Sequence, residues 1–362
     1  CGLMKEVWHP IYPGEDSFKH RGVLMKPRLK WNERLSVPPL SSMHTFNFGV
    51  ELELSEGRGT SQGTIARIIT RQSSIEVKVV DAYRDSHNQL STWKLVHDGS
   101  IECSRSAPRC SKFELVSPIL CGEQGLMSCQ GVLDGLKHSG STDILVNKSM
   151  GFHVHVSVEG FTLKELKKVC LNFVKYEEAM DLIMPPSRRT GSGNSNEYFQ
   201  SCRSNIRNAS GTIAKQNGGR HKAIMNCDTL QALCRLMNPT GRYYKLNMQN
   251  LVTGRQRTLE FRQHSATASP TKVLAWVRFC VTFVRNSARK PVPEYLKNNL
   301  DPEEIFNNLF EHLIQCNVLE SFYTDRMEAL AEAEHEHQHS SGRRSACCNG
   351  CQRGHDCHNH RH

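Results

Sequence analysis

Four short segments place carboxylates, imidazoles and an arginine in alternation with apolar residues. In FGVELEL, Glu51 and Glu53 alternate with Val50, Leu52 and Leu54, and in KFELVSP, Glu114 lies between Phe113 and Leu115. In GFHVHVS, His153, His155 and Ser157 alternate with Phe152, Val154 and Val156; in RTLEFRQH, Glu260 and Arg262 alternate with Leu259 and Phe261. Strand side chains repeat every two residues, so each segment reads as a half-buried strand with its chemistry on one face. Carboxylates at i and i+2 lie about 6–7 Å apart on such a face. At an effective dielectric of about 20 they repel by about 2–3 kcal/mol. Glu114 and Glu260 on the same face enlarge that cost, which calls for raised carboxyl pKa values or bound cations. Oxygen ligands with one or two imidazoles suit hard divalent ions, Mg2+ or Mn2+. Zinc fits less well, because none of the four segments supplies a cysteine.

The sequence has neither a GxxxxGK[ST] loop nor a GxGxxG turn, so a nucleotide would be held by metals and arginines. Arg262 next to Glu260, the pair Arg188–Arg189, and Arg255 and Arg257 are available, and guanidinium groups bind phosphate oxygens bidentately. RRTGSGNSN at 188–196 is a polar glycine–serine loop of the kind that either covers a site or simply links two elements.

These residues need elements to position them. Alternation predicts strands at 46–54, 75–83, 91–97, 112–116, 152–158, 243–251 and 257–263. Helical spacing predicts helices at 60–71, 124–138, 162–184, 228–237, 270–288, 302–316 and 318–332. Thr162 and Glu165 form a capping box, and Asp301–Pro302 starts the helix that follows. Grouped strands with helices between the groups indicate an α+β fold, a mainly antiparallel curved sheet with helices on its apolar face.

The chain has 362 residues, of which 38% are hydrophobic, so a packed body with polar extensions is expected. Residues 1–44 read as a basic, proline-containing extended arm, 45–332 as the catalytic body, and 333–362 as a His/Cys-rich disordered tail. In that tail, Cys347, Cys348, Cys351 and Cys357 alternate with histidines and could bind Zn2+ without forming a familiar zinc module. The other cysteines are scattered singly, several in apolar segments, as buried thiols of a cytoplasmic protein would be. No apolar run is long enough to cross a membrane, and the first residues, beginning at Cys1, lack a signal pattern. The net charge of +10 comes without a nucleic-acid-binding motif, so it reads as solubility and basic patches.

Taken together, FGVELEL, HDGS at 97–100, FELVSP at 113–118, GFHVHVS, PPSRR at 185–189, YKLNMQNL at 244–251 and TLEFRQHSAT at 258–267 resemble, in order, the amidoligase family. That family falls within the wider group of glutamine synthetase and γ-glutamylcysteine synthetase folds. The resemblance covers about 46–285 and implies a glutamine-synthetase-like catalytic domain. It also implies ATP- and Mg2+-dependent joining of a small-molecule or peptide carboxylate to an amine through an acyl phosphate. It implies Glu51, His153 and Glu260 as ligands of one metal, and Glu53 and Glu114 as ligands of a second. Arg188 and Arg262 would stabilise the transferring group, Asp98 would accept the amine's proton, and His155 and Asn247 would shape the substrate side. Arg189 and Arg257 join the nucleotide contacts. The sequence departs from the glutamine synthetase strand at Thr258, where an arginine is expected, and the arm and tail lie outside the family pattern. A metal-dependent hydrolase on the same site and a non-enzymatic metal-binding adaptor are the alternative readings. Which acid and amine are joined, and the oligomeric state, are not written in these motifs.

Overall fold

The computed structural model describes residues 46–80, 91–137, 143–191, 197–254 and 256–350, with backbone alone over 336–350. The expected arm and Arg255 lie outside them, and so do 81–90, 138–142, most of the glycine–serine loop and the last twelve residues.

Nine strands form one sheet. They are β1 (Asn47–Glu56), β2 (Val77–Val80), β3 (Trp93–Val96), β4 (Ser111–Val116), β5 (Leu120–Cys121), β6 (Ile144–Leu145), β7 (Gly151–Ser157), β8 (Leu246–Asn247) and β9 (Thr258–Ser265). The main order is β2-β3-β4-β1-β7-β9-β8, with β5 and β6 also pairing with β1. Only β2–β3 is parallel; every other pairing is antiparallel. The result is a mixed α/β protein with a large, mostly antiparallel sheet.

The helices are α1 (Gln62–Ser73), α2 (Gly122–Lys137), α3 (Leu163–Leu182), α4 (Asn217–Met225), α5 (Leu230–Met237), α6 (Gln249–Thr253), α7 (Pro270–Arg289), α8 (Pro302–Leu309) and α9 (Asn317–Gly350). The Thr162–Glu165 capping box starts α3, and Asp301 accepts from the Glu303 amide at the start of α8. On the apolar sheet face Val50, Leu52, Leu54, Phe113, Leu115, Phe152, Val154, Leu259 and Phe261 are all buried. Complete burial of such side chains is worth about 1.5–3 kcal/mol each. The Phe261 ring meets Trp276 and Phe283 of α7 and Phe173 of α3 edge-on, at centroid distances of 6.1–6.3 Å.

Three elements differ from the sequence expectation. The strand expected at 243–251 forms an isolated bridge from Tyr244 to Gln200 and a short strand at Leu246–Asn247, then stops because the Asn247 side chain accepts the Gln249 amide and α6 begins. The helix expected at 302–316 closes at Leu309 and continues as a π-helical turn, Phe310–Ile314. Helix α4 was not expected; its sequence, NGGRHKAIM, has two glycines and buries only Ile224. Helix α9 runs on through the boundary expected at 332, and the cysteines and histidines of the proposed zinc-binding tail lie outside the described side chains. One expectation about the thiols is corrected. Cys103 and Cys110 form a disulfide, because the loop between β3 and β4 turns back and brings their Cα atoms to 5.7 Å. Cys129, Cys170, Cys202, Cys227, Cys234, Cys280 and Cys316 are buried free thiols. Among the described residues no helix is long and apolar enough to cross a membrane.

Candidate active site

The polar sheet face opens into a cleft. Pairing across the strands brings the four segments together: Glu53 lies opposite Glu114, Glu51 opposite His153, and Glu260 opposite both His155 and Asn247. A bulge sets the last strand. Phe152 pairs with His264 and Val154 with Phe261, so Arg262 and Gln263 together oppose His153. The extra residue leaves Arg262 lining the cleft, while Gln263 is buried and donates to the Arg188 carbonyl at 3.2 Å.

Two donor clusters result, and both include Glu51. Glu51, His155 and Glu260 offer one atom each within 4.8 Å of one another, and so do Glu51, Glu114 and His153. His155 Nε2 lies 3.1 Å from Glu51 Oε1, and His153 Nδ1 lies 3.4 Å from Glu51 Oε2 and 3.7 Å from Glu260 Oε1. His153 Nε2 lies 3.8 Å from Glu53 Oε1. The other Glu53 oxygen accepts the Gly151 amide at 2.6 Å. Glu260 is held by the Arg262 guanidinium and by Asn247 Nδ2 at 2.6 Å. His155, expected on the substrate side, thus stands among the candidate ligands.

The electrostatics of the cleft are divided. Burial would raise the Glu51 carboxyl, but His155 and His153 outweigh it and hold Glu51 well below the usual carboxylate range. Glu260 is lowered in the same way, burial being overcome by Arg262 and the two imidazoles. Burial disfavours the His155 cation, yet Glu51 and Glu260 push its pKa up to about 9. Glu114 goes the other way. Burial and the fields of Glu51, Glu53, Asp98 and Glu260 all push it well above the carboxylate range, and no hydrogen bond from a described residue reaches its carboxyl.

The donor chemistry fits divalent ions. Buried carboxylates crowd together, the fields of four other carboxylates bear on Glu114, and the buried His155 Nε2 makes no aligned hydrogen bond despite its short approach to Glu51. The ligand atoms are oxygens and imidazole nitrogens, the set that suits Mg2+ or Mn2+.

Two cavities flank the clusters. One, of about 840 Å³, is lined by Glu53, Glu114, His153, Asp98, Arg188 and Lys148, among others. The second, of about 830 Å³, is lined by His155, Asn247, Glu260, Arg257, Gln249 and Phe48, among others. Arg188 is buried: its guanidinium donates to the Met150 carbonyl and lies 4.5 Å over the Phe199 ring. Burial lowers its pKa to about 10, against the pull of Glu53. Asp98 Oδ1 accepts from the Ser100 amide at 2.8 Å and from its hydroxyl at 2.7 Å.

Of the expected nucleotide contacts, one lies outside both cavities and one stands on a rim. Arg189 donates to the Met184 carbonyl at 2.7 Å and pairs with Glu334 of α9 at 2.7 Å, outside the lining of both cavities. Arg257 is exposed on the rim of the second cavity, 3.6 Å from Glu159. Sequence reasoning missed Arg242 and Tyr243, which line the cleft immediately before YKLNMQNL. Their only signal was the adjacency, since they lie on a loop without periodicity.

An α/β chain with a helix-backed sheet and a carboxylate–imidazole cleft on its open face is the class defined by this geometry. Residues 44–284 match the family described as "Putative amidoligase enzyme", and the chain belongs to that family. Membership carries the general class of an amide-bond-forming ligase. None of the curated proteins compared with the chain matches it. Among solved structures, a bifunctional glutathione synthetase from Pasteurella multocida is similar over 83% of this chain at 11% identity, with a TM-score of 0.37. The similarity covers 48% of that longer chain.

Proposed function

We propose that this protein is an ATP- and Mg2+-dependent carboxylate–amine ligase with a glutamine-synthetase-like catalytic architecture. The observation that carries the reading is the pair of donor clusters sharing Glu51 between two cavities. Glu51, His155 and Glu260 would hold one divalent ion, and Glu51, Glu114 and His153 a second, with Glu53 beside them. Bound there, the ions would neutralise polyphosphate charge, the main task in phosphoryl transfer. The acid's oxygen attacks the terminal phosphorus and ADP leaves; the amine then attacks the acyl carbon and phosphate leaves. Arg188 and Arg262 hold anionic oxygens, and Asp98 takes the proton from the attacking amine. Asn247 orients Glu260, and His155, charged between Glu51 and Glu260, would give up its proton to serve as a ligand.

The test is calorimetry of ATP binding with and without Mg2+, on the wild type and on the double variant Glu51→Gln, Glu260→Gln. Metal-dependent binding that the variant loses supports the ligase. A wild type that binds no nucleotide sinks it and leaves a hydrolase on the same residues.

A further inference from the structure

The two cavities have three lining residues in common among the described residues: Glu51, Arg242 and Arg262. If one cavity takes the nucleotide and the other takes the acid, the phosphoryl group must cross at that junction. Glu51 belongs to both ion clusters there. The other two residues are guanidinium groups resting on one aromatic ring: Arg242 Cζ lies 5.1 Å and Arg262 Cζ 5.7 Å from the Tyr243 centroid. Both distances are within cation–π range. Tyr243 is fixed in turn, meeting Tyr198 edge-on at 5.2 Å, while its carbonyl accepts the Gln200 amide at 2.8 Å. The backbone that carries Arg242 is therefore anchored, yet its side chain is exposed to the cleft. Arg262 is already charge-balanced by Glu260.

We propose that Arg242 is a catalytic residue, which together with Arg262 clamps the phosphoryl group as it passes between the cavities, with Tyr243 positioning both guanidinium groups. The inference rests on the ligase reading. In the step concerned, an oxygen of the acid forms a bond to the terminal phosphorus of ATP. The bond from that phosphorus to the bridging oxygen breaks, and its electron pair leaves with ADP. The flattened group in transit carries its charge on three equatorial oxygens, and a planar fork of N–H donors matches two of them. Arg242 should therefore act on the group in flight far more than on bound nucleotide.

The experiment uses MgADP alone and MgADP with aluminium fluoride, a mimic of the phosphoryl group in transit, titrated by calorimetry into the full chain. The wild type should bind the fluoride complex at least about tenfold more tightly than MgADP. Arg242→Ala should lose most of that gain, while its MgADP affinity changes by less than about threefold. Arg242→Lys should recover part of the gain. Tyr243→Phe, which keeps the ring, should retain it, and Tyr243→Leu should lose it. The inference is overturned if Arg242→Ala keeps the gain, if it weakens both ligands equally, or if the wild type binds MgADP but shows no gain. A wild type that binds no nucleotide at all overturns the ligase reading first and this inference with it.

Discussion

Replacing Glu114 by glutamine should stabilise the ion-free protein and weaken its response to divalent ions. Glu114 lies in register with Glu53, and one of its oxygens is within 4.8 Å of the donor atoms of Glu51 and His153. At that separation and an effective dielectric of about 20, two full charges repel by about 3.5 kcal/mol. The carboxyl escapes most of this by keeping a proton, which is what its raised pKa expresses. A folded-state pKa above the unfolded value means that the folded chain binds more protons. The associated stability is complete below the ordinary glutamate pKa and is lost as pH rises through the elevated one. Glutamine has no proton to lose. In chelator, wild type and Glu114→Gln should melt together near pH 4, and at pH 8 the variant should be more stable by about 1–3 kcal/mol. For a domain of this size that is about 2–5 °C. Excess Mn2+ at pH 8 should narrow or reverse that gap, raising the wild type further than the variant, which keeps only the Glu51–His155–Glu260 cluster. Differential scanning calorimetry over the two pH values, with and without ion, reads all four states. A variant that melts below the wild type in chelator at pH 8, or an ion that stabilises both equally, would refute the reasoning.

A Cβ at Gly151 would lie 2.8 Å from His153 Nε2 and 3.4 Å from Arg188 Nη1. Gly151→Ala should therefore displace the imidazole and weaken Mn2+ binding by about tenfold, read by calorimetry, with a far smaller change in melting temperature. Lys245 is buried with its ammonium 3.3 Å from Glu177 and paired with Asp181. Lys245→Met should cost about 3–5 kcal/mol in urea unfolding, because two carboxylates are left buried without their cation. Asp98→Asn keeps an oxygen to accept from Ser100 and removes the carboxylate. With an acid that drives nucleotide turnover, the acyl phosphate trapped by hydroxylamine should still form while amide formation falls by about 10²-fold or more; equal loss of both would exclude the base role.

What could be read from the sequence was whatever period two could carry. Glu51, Glu53, Glu114, His153, His155 and Glu260 declare their shared face because each stands between buried apolar neighbours, and Arg262 follows two residues after Glu260. That face is where the two clusters form. The rule fails beyond Arg262, where the bulge shifts the register and His264 joins the core side against Phe152 at 5.4 Å. A bulge depends on which strand lies opposite, and no local pattern records that. The ligand partition escaped for a related reason. His155 reaches Glu51 diagonally across the β1–β7 pairing, where its register partner is Gly49, while His153, the histidine that the family pattern suggests, also lies 3.4 Å from Glu51. Arg189 was read as a partner of Arg188, but neighbours on a 3-10 turn and its exit diverge, and it reaches α9. The Cys103–Cys110 link could not be read either, since a loop leaves no periodicity from which to infer its closure.

The cleft divides its work between parts of unequal rigidity. The candidate ion ligands stand on β4, β1, β7 and β9, strands paired on both sides and backed by the aromatic contacts of α7. Glu51, common to both clusters, sits mid-strand at the centre of the sheet, where the backbone has least freedom. A frame of that stiffness can select an ion by size, which crowded carboxylates on mobile loops could not do. Asp98, Arg188 and Arg242, by contrast, come from loops and a single 3-10 turn. Standing apart from the ion frame, these residues can act on the reacting groups without being part of what binds the ions. It follows that substitutions of the strand carboxylates should alter ion binding and resting stability together. Substitutions at Asp98 or Arg242 should change turnover while leaving both nearly untouched. A strand carboxylate whose loss spared ion binding would show that this division is wrong.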